Sequence, residues 1–355
     1  MKRFTRIGLL VVLLMSFFVL PVLAQGKADL NRAVTWIKGQ QQADGGFSDG
    51  FSEGSSVGAT ADAVFAAVSV GEDVSTWGSP SPLDYLASQA GSLETAGALG
   101  KIILAAVATG QDPANFGGVN LIANLMALYD EETGRFKGLV TDHAFAVLAL
   151  KNAGKPVPSG AVDALKALQA DDGGWSFDGA SQSDTNTTAL VIQALVAAGE
   201  SPTSEPVTRA LDFLRTQQNE DSGFPYQKPS DFGTETDANS TAWVIQGLLA
   251  AGQDLAAWNN PEQALGALQA ESGAFQWKKE VPGDNFLATA QAVPALAGVT
   301  FVNLPVVPAA NPPQAASPAT LPTTGGSTWG AGALMGLGAA LFLFGLALRR
   351  QRAAA

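Results

Sequence analysis

The chain has no cysteine and a single histidine, His143, among its 355 residues. Without cysteine it forms no disulfide, so its stability has to come from burial of a core. The same shortage removes the Cys/His sets that hold zinc, and neither metal nor cofactor is expected from the residues present. Charge is sparse, 15% of the chain, and the scarcer sign is positive, with 20 basic against 32 acidic residues. Lys2, Arg3, Arg6, Arg349, Arg350 and Arg352 lie in the two ends and no acidic residue does. The segment between is therefore more acidic than the chain's net −12. Such a surface repels polyanions, which argues against nucleic acid and teichoic-acid-like partners unless cations bridge them.

The ends read as addresses. Residues 1–24 place a basic start ahead of an apolar run and stop at Val22-Leu23-Ala24, the pattern of a signal peptide cut after Ala24. An uncleaved N-terminal anchor is the alternative. Near the other end, LPTTG at 321–325 precedes an apolar span at 329–348 and a basic tail at 349–355. The span is long enough to cross a bilayer, and the arginines hold its end on the cytoplasmic side. Together these three parts resemble the sorting signal of sortase-anchored surface proteins. That resemblance implies cleavage between Thr324 and Gly325 and transfer of Thr324 to the cell wall, with sortase and peptidoglycan as partners. A plain membrane anchor is the alternative, and either one leaves the domain extracellular. Residues 301–320, rich in Pro and Ala, are expected to form an extended stalk.

The domain between, 27–300, repeats. Ala61 to Gly71, Gly100 to Gly110, Ala144 to Gly154, Ala189 to Gly199, Ala242 to Gly252 and Ala288 to Gly298 share one spacing. Each is apolar nearly all round and closes on glycine, as a buried helix with a left-handed cap does. The segments alternating with them, such as AVTWIKGQQ and AVDALKALQ, carry one apolar stripe and one wet face with Lys38 or Lys166. Buried and half-exposed helices in six pairs predict an all-α fold, an α6/α6 toroid with an inner and an outer ring.

A third signature sits between the two helices: QQADGGF from Gln41, QADDGGW from Gln169, QAESGAF from Gln269, the looser QNEDSGF from Gln218, and DEETGRF from Asp130. It resembles the QW motif, Gln-X-X-X-Gly-X-Trp, of the squalene-cyclase and prenyltransferase repeat family. Its glycine allows a tight turn, its glutamine bonds free backbone groups, and its aromatic ring wedges helix ends together. The motif reads as structural, and Asp44, Asp171 and Asp172 read as solvated turn carboxylates, not a calcium site.

Candidate chemistry lies where the buried helices begin. DTNTTA from Asp184 and DANSTA from Asp237 precede two of them. The resemblance places these phrases where class II terpene cyclases carry Asp-X-Asp-Asp-Thr-Ala, whose middle aspartic acid is the proton donor. Aligned on the terminal alanine, this chain has Asn186, Asn239 and Asn285 there, followed by Thr187, Ser240 and Phe286. An amide has no proton to give, so squalene-type cyclisation is not expected. Asp142 and His143, in VTDHA, are the remaining catalytic candidates beside Asp184 and Asp237, and adjacent helical residues seldom face each other.

The resemblance also extends to protein prenyltransferases, whose zinc site needs cysteine, and to transcobalamin-type carriers, whose second β-domain is missing here. Three readings of the Asp phrases stay open: N-caps, ligand contacts and catalysis. The expected binding set is Asp184, Asn186, Thr187, Asp237, Asn239, Ser240, Trp243, Asn285 and Phe286, a polar rim over an aromatic cavity to which Phe145 also contributes. The leading expectation is a surface-anchored toroid that binds a small ligand or surface partner without catalysis. An exported terpene-cyclase, prenyltransferase-like or glycan-active enzyme is the alternative, and a structural surface protein with a filled barrel is the third.

Overall fold

The computed structural model describes residues 28–51, 54–231 and 233–313. The signal peptide, the end of the stalk, LPTTG with Thr324 and Gly325, the apolar span and the basic tail lie outside the described residues. Among those described, no helix is long and apolar enough to cross a membrane.

Among the described residues, twelve α-helices alternate between two rings. The inner ring is α2 (Val57–Ser69), α4 (Ala96–Ala108), α6 (Val140–Asn152), α8 (Thr185–Ala198), α10 (Ala238–Ala250) and α12 (Phe286–Leu296). The outer ring is α1 (Leu30–Lys38), α3 (Pro82–Gln89), α5 (Leu121–Met126), α7 (Ser159–Ala167), α9 (Glu205–Gln217) and α11 (Pro261–Gly266). Each inner helix packs on the next, and α12 packs back on α2, which closes the circle. Small residues let the inner helices approach: a side chain on Gly247 would collide with Ala189, and one on Gly100 with the backbone of Phe145. At the seam, Gln269 both donates to and accepts from the Asp29 backbone, and Arg32 donates to the Glu271 carbonyl. The fold also has two short antiparallel hairpins that helix periodicity does not reveal. They are β1 (Tyr129–Asp130) with β2 (Arg135–Phe136), and β3 (Phe275–Lys278) with β4 (Val281–Asn285).

The glutamine motif is a tie between repeats. Gln41, Gln169, Gln218 and Gln269 each donate to a carbonyl of their own turn (Gly45, Gly173, Ser222, Gly273). Each also donates to a carbonyl at the start of the next outer helix (Pro80, Pro206, Trp258, Asp29). The motif's fifth position is left-handed, with φ +89° at Gly173, where a side chain would strike the Arg209 carbonyl. The aromatic ring is buried, and the backbone N–H of its residue is accepted by a threonine of the following inner helix: Phe47 by Thr60, Trp175 by Thr188, Phe224 by Thr241, Phe275 by Thr289.

Two expectations change. The N-caps of the inner helices are Ser56, Thr95, Leu139, Asp184, Asp237 and Asn285. The first five stand equally far from their closing glycines, but Asn285 stands two residues nearer to Gly298. Aligning the last repeat on Ala288 therefore misplaces its start: Asn285 corresponds to Asp184, and Leu287 to Asn186. Second, the first part of the expected stalk is docked. Val307 and Ala309 donate to the carbonyls of Ala108 and Thr109, and Ala310 donates to Asp73.

Candidate functional site

The helix starts resolve first. Asp184 and Asp237 are buried N-caps. Asp184 accepts from the Thr187 N–H (2.7 Å) and hydroxyl (2.8 Å) and from Tyr226, and Asp237 accepts from the Ser240 N–H (2.7 Å) and hydroxyl (2.9 Å). Burial pushes both carboxyls up to about 6 against the pull of these bonds. Asn285 caps α12 through the Ala288 N–H. Thr187 and Ser240 thus serve the caps, and Phe286 stacks on Phe47 of the first repeat instead of facing the lumen.

Asp142 and His143 do not act on each other. One Asp142 oxygen accepts from the Leu139 N–H at the start of its own helix (2.8 Å) and the other from the Gly97 N–H of the neighbouring α4 (3.1 Å). That reach needs Gly97, because the carboxylate occupies the space a side chain would fill. Burial raises the Asp142 carboxyl above the usual range. His143 takes the position of the threonine in four of the other repeats, Thr60, Thr188, Thr241 and Thr289. Its Nδ1 accepts the Phe136 N–H (3.0 Å) and its Nε2 donates to the Ala161 carbonyl (2.9 Å). Burial, helped by Arg135, depresses it to about 4, so the ring is neutral and both nitrogens are engaged.

The lumen is built from positions farther along. Two residues past each N-cap are Gly58, Gly97, Thr141, Asn186, Asn239 and Leu287, and six past are Asp62, Lys101, Phe145, Leu190, Trp243 and Gln291. A four-residue step keeps the same helix face, so the two sets form an upper rim and the level beneath it. That lower level is divided. On one side Lys101 Nζ lies 2.7 Å from Asp62 Oδ1, with both side chains buried. Gln291 donates to the other Asp62 oxygen (3.3 Å) and accepts from Asn239 (2.9 Å). On the other side stand Phe145 and Trp243, in edge contact, and the Lys101 ammonium lies 5.4 Å from the Phe145 ring centre.

Sequence reasoning missed Asp62, Lys101 and Gln291. The signal was present, since Asp62 and Lys101 are charges within otherwise apolar, fully buried helices, where unpaired charge is rarely tolerated. Gly58 leaves the space above the pair open: a Cβ there would meet only Lys101 Nζ, at 4.0 Å.

Below this level the lumen is filled. Phe301, from the segment after α12, lies 5.1 Å from Phe65, 5.9 Å from Phe145 and 6.0 Å from Trp243 between ring centres. A cavity among Asp62, Gln246, Gln291, Pro294 and these rings measures about 20 Å³. That is room for one water. Among the described residues no group of His, Asp and Glu could hold a metal ion.

The closed double ring of helices defines an α/α toroid. Residues 122–287 match the family model described as the squalene-hopene cyclase C-terminal domain, and residues 3–101 match the prenyltransferase alpha-alpha toroid domain. Similar solved structures include the type II terpene cyclase MstE from Scytonema. It is 16% identical with a TM-score of 0.57, covering 76% of this chain and 96% of that one. A protein from Actinoplanes has 16% identity and a TM-score of 0.52, over 76% and 98% of the two chains. A glycosidase variant in complex with glucose has 12% identity and a TM-score of 0.55, over 76% and 96%. At such identities the likeness is one of fold. No curated protein matches the chain.

Proposed function

We propose that this is an exported toroid, held at the cell surface by its LPTTG signal, which binds a small hydrogen-bonding ligand or a surface partner at the lumen rim without converting it. One observation carries the non-catalytic part: the cavity left between Asp62, Trp243 and Phe301 measures about 20 Å³, whereas enclosing a substrate takes some 300 Å³ or more. The carboxylates agree. Asp184 and Asp237 cap their own helices, Asp142 bridges two helix starts, and Asp62 is paired with Lys101. At the rim, the amides of Asn186 and Asn239 stand over the Asp62–Lys101–Gln291 network, a set that offers donors and acceptors to a neutral polar group.

The test combines binding with turnover. The secreted protein is titrated calorimetrically with neutral wall sugars and short wall peptides, and Asn239→Leu is expected to weaken any binding at least about tenfold. Release of product from squalene, geranylgeranyl diphosphate or wall glycan would overturn the reading. It would also establish the enzyme alternative, which the cyclase and glycosidase neighbours of this fold support. For the address, Thr324→Ala is expected to move the protein from the wall fraction to the membrane fraction.

A further inference from the structure

The segment that fills the lower mouth is held like a bound peptide. Gly298, at φ +73°, turns the chain out of α12 and back under the inner helices. The Phe301 ring then enters the cluster of Phe65, Phe145 and Trp243. Both backbone groups of that residue are captured by side chains from two other inner helices. The Phe301 N–H is accepted by Gln193 Oε1 (2.9 Å), and its carbonyl accepts from Asn152 Nδ2 (2.8 Å). Beyond it the chain runs extended. Leu304 lines the cavity, Val307 and Ala309 hydrogen-bond to the end of α4, and Val302 and Val306 point to solvent. An aromatic pocket, paired capture of one residue's backbone and a strand-like continuation are the parts of a peptide-recognition site.

A separate observation points the same way. Gln193 is fully buried, yet its Nε2 has no hydrogen-bond partner. That leaves room beside the captured residue for one further acceptor.

We propose that the lower mouth of the lumen is a recognition site for an extended peptide bearing an aromatic side chain, and that residues 299–311 of the same chain occupy it as a removable plug. The site belongs to the inner ring, whose six helices close on one another without the segment. Displacing the plug exposes an aromatic pocket continuous with the Asp62–Lys101 level.

The test uses the secreted protein with Phe301→Asp, since a carboxylate is not tolerated among three aromatic rings. Hydrogen exchange of residues 299–311 is expected to quicken at least about a hundredfold while the inner helices keep their protection. A synthetic peptide of sequence Val299 to Asn311 should bind the variant one-to-one and the wild type at least about tenfold more weakly, its site being filled. Val307→Pro, which deletes the N–H bonded to Ala108 and leaves the pocket intact, should show the same exchange pattern. The proposal is overturned if both variants lose inner-helix protection together with the segment, or if the freed toroid does not bind the peptide. Loss of rim binding to sugars leaves it unaffected, because the peptide backbone is held by Asn152 and Gln193, which the rim reading does not use.

Discussion

The buried Asp62–Lys101 pair allows a quantitative test of how the lumen is held. Lys101→Met keeps the length of the stem and removes the cation, leaving the Asp62 carboxylate with only the Gln291 amide at 3.3 Å. Stranding one partner of a buried pair costs about 3–5 kcal/mol. For roughly 280 ordered residues at about 2.1 cal/mol/K each, the unfolding entropy is about 0.6 kcal/mol/K, so the melting midpoint should fall by about 5–9 °C. Asp62→Leu strands the lysine and should cost a similar amount. The double variant removes both charges and leaves the Gln291 donor without its acceptor, so it should lie within about 1–2 kcal/mol of wild type. Urea unfolding followed by circular dichroism reads all four proteins. The coupling between the two changes should exceed about 2 kcal/mol. If the two single costs simply add in the double variant, the pair is not a closed electrostatic unit and the reasoning fails.

Other predictions follow from the helix starts. His143→Thr restores the acceptor used in four other repeats and should cost less than His143→Ala, which strands the Phe136 N–H and the Ala161 carbonyl at about 2–4 kcal/mol by urea unfolding. His143 is depressed in the fold to about 4 from 6.5, so its contribution to stability is complete above pH 6.5 and is lost as pH falls towards 4. Asp184 and Asp237 act oppositely. Raised to about 6 from 3.8, they contribute fully below pH 3.8, and that contribution is lost as pH rises through 6. Hence above pH 7 Asp237→Asn, which keeps a capping oxygen, should match or exceed wild-type stability, while Asp237→Ala should fall about 1–2 kcal/mol below it. A double mutant with Asn186→Asp and Asn239→Asp returns carboxyls to the cyclase positions but should still make no product from squalene by gas chromatography, because the lumen remains filled. Product formation would show that the amides alone suppress the chemistry.

The repeat was legible because each copy obeys the same local constraints. The glycine that closes an inner helix must be left-handed, and the glutamine turn must satisfy the same free carbonyls, so both leave fixed spacings. Where a constraint slackened, reading failed. The last inner segment is two residues shorter between cap and glycine, and aligning on Ala288 put Asn285 beside Asn186 when it stands in for Asp184. The candidate site was less legible. DTNTTA and DANSTA drew attention by their polarity, yet that polarity is turned along the helix start into capping bonds. Asp62 and Lys101, single charges 39 residues apart, meet only because α2 and α4 are neighbours in the ring.

By itself the sequence determined six helix pairs, an inner ring buried on all sides and an absence of thiol or multi-histidine chemistry, because periodicity, caps and composition are local properties. Only the tertiary structure decided what occupies the centre. Whether a ring of helices encloses an open chamber or a packed one depends on which side chains from six separate helices reach the same level, and on Phe301 returning from beyond the last helix to lie among them. No spacing along the chain encodes that meeting.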